Sequence, residues 1–176
     1  VRTNSGNDKE YHGNVSIGLI SAKLNIEGPI VKEKTTFNIS ARRSYLDLIS
    51  RPILRARNRK RGDDTSADFI CYLYDVNAKI EHRFNDRHRL SGNFYMGHDN
   101  LGFGYKANTQ TNNMSGDQTI NFKFGWGNIL GALQYTGILT NKFFFNSTLS
   151  YTNYDNKIGI SAITKVQEDS LSAPIK

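Results

Sequence analysis

The residues with the most obvious capacity for binding chemistry form one basic run, RPILRARNRKRG. Its cationic side chains are Arg51, Arg55, Arg57, Arg59, Lys60 and Arg61. Cations at this density bind anionic groups, although many such runs are solvated loops. From the residues alone, these six are candidate ligand-binding residues for nucleic acid or another anionic surface, and a solvated loop is the alternative.

Other groups with chemical potential are scattered. His82 and His88 flank a short NDR turn and could approach each other across a hairpin, but a metal site would need a third ligand. Asp63 and Asp64 could form a carboxylate pair, yet they follow arginines in the predicted loop. Cys71 is the only cysteine, so it has no partner for an internal disulfide. We therefore predict no enzyme, no metal site and no cofactor.

Composition limits the class of protein. The 176 residues are 38% hydrophobic, and the net charge is +7. No run approaches the ~20 apolar residues of a spanning helix. A transmembrane β-barrel stays open, because only alternate residues of its strands face lipid. The 15 Gly, 10 Phe and 9 Tyr beside only 3 Pro favour strands and turns.

Strict alternation of apolar and polar residues runs through most of the chain. It is clearest in SAKLNIE, TFNISARRSY, YDVNAKIEHRF, HRLSGNFYM and LQYTGIL. This period of two predicts half-buried strands. If the strands form one meander, they place a shared set of residues on one outer face: Tyr74, Val76, Ile80, Phe94, Met96, Leu133 and Tyr135.

The apolar positions change parity once. They are even-numbered through TINFKFGW up to Trp126, and odd-numbered from Leu133. One extra residue in a strand produces such a switch, so we predict a β-bulge near Gly127–Gly131 in one long strand. The alternative is two strands joined by a tight turn at GWGN.

Connection and strand lengths indicate a barrel. PIVKEKT, NDR and TNK predict tight turns, whereas LDLISRPILRARNRKRGDDTSA and GYKANTQTNNMSGDQ predict long loops. Alternation of short and long connections is typical of outer-membrane barrels. The strand at Asp68–Phe84 is far longer than the ~5–6 residues of a usual globular strand. We predict an all-β, antiparallel up-and-down meander of about seven long strands, part of a large transmembrane β-barrel.

Charged side chains on the other face leave alternatives open. Lys79, Glu81, Arg83 and Arg89 are too costly to face lipid, so they would line a barrel interior. In a soluble all-β module that binds carbohydrate or another anionic ligand, they would face solvent instead. That alternative predicts two packed sheets with Greek-key crossings. A nucleic-acid-binding β-domain is a third interpretation and predicts salt-dependent binding; we expect no nucleic-acid partner, because no recognition motif accompanies the basic run.

Two segments resemble a known family. EYHGNVSIGLISAKLNIEGPIVKEKTTFNISARRSYLD, residues 10–47, resembles the first barrel strands of TonB-dependent outer-membrane receptors of the Bacteroidetes type. WGNILGALQYTGILTNKFFFNSTLSYTNYD resembles a further barrel segment, and VRTNSGN resembles the end of a plug domain. The resemblance implies that residues 1–9 end the plug, residues 10–160 form N-terminal barrel strands, and residues 161–176 form a loop or tail. It also implies that the basic segment Asp47–Ser66 is an extracellular loop. We expect its six cations to bind an anionic ligand or lipopolysaccharide phosphates, with a purely solvated loop as the equal alternative.

The resemblance also implies a function for a larger parent protein. Such receptors close a barrel of about 22 strands around a plug. They import a scarce nutrient, such as an iron chelate, cobalamin or a glycan, across the outer membrane with energy from the TonB complex. The expected partners are outer-membrane lipid, the rest of the barrel and plug, and the TonB complex through an N-terminal segment that this sequence does not contain. A piece of such a barrel should transport nothing alone, and it would have to cover its apolar face and strand edges, for example by forming an oligomer.

Overall fold

The computed structural model describes residues 5–61, 65–111, 114–140 and 142–168. Within them, seven strands and one helix follow in chain order. Their bounds are β1 His12–Ile17, β2 Ser21–Val31, β3 Thr35–Ser44, α1 Leu46–Arg61, β4 Thr65–Asn85, β5 His88–Thr111, β6 Met114–Thr140 and β7 Phe143–Glu168.

The seven strands form one sheet in which spatial order equals chain order, from β1 at one edge to β7 at the other. Each strand runs antiparallel to its neighbours. This confirms the predicted all-β meander of seven long strands. The sheet is not closed into a barrel. The described strands form no second sheet and no Greek-key crossing, so the sandwich architecture expected for the soluble alternative is not present.

The register of the first four strands follows from their alternation. Leu24 lies opposite Ala41, and Ile39 lies opposite Ala78, so apolar residues meet apolar residues across each ladder. The register between β2 and β3 shifts between Pro29 and Val31, and the hairpin closes through a turn after Val31 in which Glu33 adopts a positive φ of 61°. A one-residue slip would move every one of these side chains to the opposite face, which is why the pattern fixes the pairing.

The predicted alternation of short and long connections is wrong. The turns expected within PIVKEKT and NDR are present and short. GYKANTQTNNMSGDQ, however, is not a long loop, because β5 continues to Thr111 and β6 begins at Met114. The segment is polar at nearly every position, so it shows no period of two, yet its threonines suit strands. Chain length that we assigned to a loop extends the two strands instead.

The basic segment is also not a loop. Leu46–Arg61 forms α1, with Asp47 in its first turn and Pro52 within it. Leucine, alanine and arginine favour helices, which offsets the single proline. Asp47 is its most buried residue, and the half-buried positions Leu46, Ser50, Leu54 and Asn58, spaced by four residues, mark the side that packs on the protein.

The first and last strands have other bounds than the sequence predicted. β7 continues to Glu168, so residues 161–168 belong to a strand rather than to the loop or tail that we expected after residue 160. The β-branched residues of GISAITKV explain the extension. At the other end, residues 5–11 contain no strand, and β1 begins at His12 rather than at residue 10.

The chain divides into two compact units. Unit 1 comprises Val1–Tyr45, Tyr72–Asp99 and Trp126–Asn156, and unit 2 comprises Leu46–Cys71, Asn100–Gly125 and Lys157–Lys176. Unit 1 therefore contains β1, β2 and β3 complete, whereas α1 belongs to unit 2. Among the described residues, no helix is long and apolar enough to cross a membrane.

Candidate membrane-facing surface and anion-binding groove

The described part of the chain contains no buried hydrophobic side chain. Large apolar residues are instead exposed on most strands, including Val15 at 67% and Leu149 at 74%. A soluble domain of this length normally buries an apolar core, since that burial is the main favourable term in folding. The exposed apolar surface is therefore the most unusual feature of the described part of the chain.

One face of unit 1 gathers these apolar side chains, and we call it the apolar face. Phe37 lies opposite Ile80 in the ladder between β3 and β4. A Cβ built on Gly92 would lie 3.2 Å from Cγ2 of Ile80 and 3.6 Å from Cδ2 of Leu133. Gly92 of β5 therefore shares one face of the sheet with Ile80 of β4 and Leu133 of β6. A shallow groove of about 970 Å³ follows this face, with Phe94 among its lining residues. Ile80, Phe94 and Leu133 therefore share one face, as predicted; that this is the outer face of a barrel stays a prediction.

Aromatic and histidine side chains mark one end of the apolar face. The rings of His82 and Phe84 pack edge to face with centroids 4.6 Å apart. Nδ1 of His88 lies 2.7 Å from the hydroxyl of Tyr135, and the two rings stack. Phe145 continues the row against Tyr135. We call these two groups of rings, which lie near the tight β4–β5 turn, the girdle.

Tyr74 and His98 mark the other end, with ring centroids 5.7 Å apart. Between Tyr74 and Phe84, the apolar face of β4 carries Val76, Ala78 and Ile80 before His82. Ten residue steps of ~3.3 Å make about 33 Å of strand, which a tilt of about 40° projects to about 25 Å. That height matches the apolar band of outer-membrane barrels, which aromatic girdles also flank.

The opposite face of unit 1, the polar face, carries the charges. The carboxylate of Glu81, which is 9% exposed, lies 3.4 Å from Nζ of Lys79 and 3.2 Å from Nη1 of Arg89. The hydroxyl of Ser5 donates a hydrogen bond of 2.8 Å to the same carboxylate. A wide groove of about 1160 Å³ along this face is lined largely by asparagine, serine and lysine side chains, such as Asn77.

The β-bulge predicted near Gly127–Gly131 in β6 is wrong. β6 is one continuous strand, so the turn at GWGN does not form. A Cβ on Gly127 would point at the ring of His98, which contacts Tyr74 on the apolar face. Gly127 therefore already shares a face with Leu133, and no extra residue lies between Gly127 and Gly131.

Trp126 accordingly belongs to the polar face rather than to the apolar set that we predicted for TINFKFGW. Its side chain donates a hydrogen bond to the carboxylate of Asp99. Asp99 also lies within electrostatic range of Arg42 and Asp75, which form an ion pair of 2.7 Å. The indole N–H thus has a hydrogen-bond acceptor on the polar face. The alternation of apolar and polar residues in the sequence does not reveal this partner.

Two of the six predicted cationic residues line a groove within unit 2. This basic groove, of about 370 Å³, is lined by Arg51, Arg55, Asp68, Gly104, Lys106 and Asn121, among others. Arg51 and Arg55 meet there because they are four residues apart on α1. The sequence did not associate Lys106 with them, because it lay in a stretch that we interpreted as a separate loop.

The remaining predicted cations separate. Arg57 lines a smaller groove of about 240 Å³ beside Phe103 and Tyr105. Arg59 is exposed and lines neither groove. Lys60 and Arg61 belong to the last turn of α1, and their side chains lie outside the described part of the chain. Of the four cations whose side chains are described, only Arg51 and Arg55 share a groove.

Asn58 attaches α1 to the edge of β4. The ladder between β3 and β4 extends to Tyr74, so residues 65–72 of β4 have no partner in β3. The side-chain amide of Asn58 donates to the carbonyl of Ala67 at 2.9 Å and accepts from its N–H at 3.3 Å. One side chain thus replaces a strand partner and satisfies edge groups that would otherwise be open to pairing.

The other candidate groups do not assemble into a site. Nδ1 of His82 lies 2.8 Å from the hydroxyl of Thr35, and His88 is engaged with Tyr135. Cys71 is a half-buried free thiol. Asp63 and Asp64 lie outside the described residues, within which no three potential metal ligands cluster.

Comparison with known proteins adds no identification. No protein-family model, curated protein or solved structure matches the chain. The resemblance to TonB-dependent receptors therefore stays a prediction, and function has to be inferred from the two surfaces described above.

Proposed function

We propose that this chain is a membrane-spanning wall segment of an outer-membrane receptor of the TonB-dependent type. The apolar face of unit 1 contacts lipid, and the polar face lines the interior. The observation that carries the proposal is the apolar stretch of β4, about 25 Å high at the usual tilt and ended by Tyr74 and Phe84, in a sheet whose described residues include no buried apolar core.

The distribution of charge supports this orientation. Lys79 and Glu81 alternate with Ala78 and Ile80 along β4, so every charge on this stretch lies on the polar face. An arginine or lysine facing lipid at the bilayer midplane costs about 2–4 kcal/mol. Transfer of an apolar side chain at the same position from water into lipid is favourable instead, by about 0.8 kcal/mol for each buried CH₂.

The segment before β1 supports an interior occupied by preceding chain. The hydroxyl of Ser5 binds Glu81, and Nζ of Lys79 donates to the same hydroxyl at 3.0 Å. A Cβ on Gly6 would collide with the backbone of Phe37, so glycine allows this segment to lie directly against β3. Ser5 therefore lies on the polar face, the side of the sheet that a plug domain would occupy, whereas Tyr11 packs against Phe37 on the apolar face.

For the parent protein, the proposal implies import of a scarce nutrient, such as an iron chelate, cobalamin or a glycan, driven through the TonB complex. The wall segment supplies no catalytic group in this process. Uptake by cells that carry the intact receptor should stop when TonB-dependent energy coupling is removed. Unchanged uptake would refute the transport part and leave the membrane part standing.

The membrane part can be tested with matched labels. On a Cys71→Ser background, single cysteines replace Ile80 or Leu133 on the apolar face, and Asn93 or Gln134 on the polar face. A polarity-sensitive fluorophore on the first pair should shift to shorter wavelength in lipid vesicles and be quenched by nitroxides on lipid chains. Labels on the second pair should respond to a water-soluble quencher instead. Equal responses from both pairs would refute a lipid-facing apolar surface.

A further inference from the structure

The basic groove in unit 2 combines three cations with one carboxylate. Arg51 and Arg55 line one wall from α1, and Lys106 lines the other from β5. Asp68 is the carboxylate, so the charged lining carries a net +2, from three positive and one negative side chain. Within the described residues, none of the three cations forms a salt bridge. Their charge is available to a ligand.

The floor of the groove is open because Gly104 has no side chain. A Cβ there would lie 3.2 Å from Oδ1 of Asn121 and 3.6 Å from Cβ of Asp68. Glycine therefore lets a ligand reach the amide and the carboxylate together. A larger residue at this position would compete with the ligand for that space.

The lining selects for a particular chemistry. Arginine binds phosphate through paired N–H donors, and lysine adds a point charge. Asp68 would repel a bare phosphate, but a carboxylate accepts hydrogen bonds from hydroxyl groups. The side chain of Asn121 can both donate and accept. A ligand that satisfies the whole lining carries an anionic group at one end and hydroxyl groups beside it.

We infer that the basic groove binds a phosphorylated saccharide, with the phosphate between Arg51, Arg55 and Lys106. The sugar hydroxyls donate to Asp68 and exchange hydrogen bonds with Asn121. The same chemistry occurs in free sugar phosphates and in lipid-linked sugar phosphates. The inference rests on unit 2 alone, so it does not depend on whether unit 1 contacts lipid.

The test uses the full chain and isothermal titration with glucose 6-phosphate, glucose and inorganic phosphate. Glucose 6-phosphate should bind most tightly. Each of Arg51→Gln, Arg55→Gln and Lys106→Gln should weaken it about tenfold or more, the usual effect of losing a charge-assisted hydrogen bond. Arg59→Gln removes the same charge from the same helix outside the groove, and it should leave affinity within about twofold.

Asp68→Ala separates the saccharide from the phosphate. Because this substitution removes a negative charge, it should strengthen binding of inorganic phosphate and reduce the advantage of glucose 6-phosphate over it. Circular dichroism of each variant checks that the sheet is intact. An equal gain for both ligands would overturn the assignment of a saccharide.

A second arm identifies the source of the ligand. Phosphatidylcholine vesicles with and without monophosphoryl lipid A are mixed with the chain and its variants. Binding that depends on monophosphoryl lipid A and falls in Arg55→Gln but not in Arg59→Gln supports a lipid-linked saccharide. Binding of glucose 6-phosphate with the same pattern supports a free one. Binding of neither, or equal losses in Arg55→Gln and Arg59→Gln, overturns the inference.

Discussion

Replacing Ile80 with arginine tests the lipid-facing surface most directly. Ile80 is 48% exposed and lies near the middle of the apolar stretch of β4, opposite Phe37. In water, a substitution at such an exposed position usually changes stability by no more than about 0.5 kcal/mol. At the midplane of a bilayer, an arginine facing lipid costs about 2–4 kcal/mol. The two environments therefore give different results for the same variant.

The strand geometry also predicts how the cost varies with depth. Phe84 lies four residues from Ile80, about 13 Å along the strand and about 10 Å in height at a tilt of about 40°. Phe84 belongs to the girdle, where an arginine costs only about 0–1 kcal/mol. Ile80→Arg should therefore lower the folding equilibrium constant about 30- to 700-fold, and Phe84→Arg by less than about 10-fold.

Denaturant unfolding in lipid vesicles, followed by tryptophan fluorescence, measures both values. Asn93→Arg on the polar face provides the control, since its side chain would point away from lipid. The interpretation fails if Ile80→Arg and Phe84→Arg cost the same, or if Asn93→Arg costs as much as Ile80→Arg. The sheet would then have its apolar face in some other environment.

The remaining predictions concern single contacts, and denaturant unfolding measures each of them. Asn58→Ala should cost about 1–3 kcal/mol, because it removes two hydrogen bonds from the edge of β4, while Arg59→Ala should be nearly neutral. Glu81→Gln should cost about 1–3 kcal/mol, because two cations lose their carboxylate; a cost no larger than that of an exposed ion pair would contradict this. Gly131→Ala meets no atom within 4 Å and should stabilise the strand by about 0.5–1 kcal/mol, whereas Gly137→Ala, 3.1 Å from the ring of a tyrosine, should lose that gain. Equal effects of the two alanines would contradict the packing described for β6.

Sequence periodicity predicted the faces of unit 1 well, because apolar and polar side chains of each strand there separate onto opposite faces. Ile80 and Lys79 are neighbours that point to opposite faces, and a period of two records this directly. The same reasoning failed at Trp126, whose indole is both apolar and a hydrogen-bond donor. Its partner, Asp99, is distant in sequence, so parity placed the side chain on the wrong face.

Connections were harder to predict than strands. Where both faces of a hairpin are polar, as near Thr111 and Met114, a strand and a loop have the same composition. Only the hydrogen bonds to the neighbouring strand distinguish them. The basic run was interpreted as a loop because charge obscured its helical spacing. The predicted Arg51 and Arg55 do lie together, but Lys106 joins them only through the sheet, a long-range contact that no local pattern records.

The two edges of the sheet are very unequal. β1 offers 6 residues of open ladder, whereas β7 offers 26. A newly arriving strand gains hydrogen bonds in proportion to the length that it can match, so β7 is much the better template. If the chain is part of the proposed barrel, a neighbouring strand should therefore pair with β7 rather than with β1. Two unassembled copies of the chain would also first pair along this long edge. A chaperone that binds the chain before assembly would therefore prevent aggregation best by covering β7.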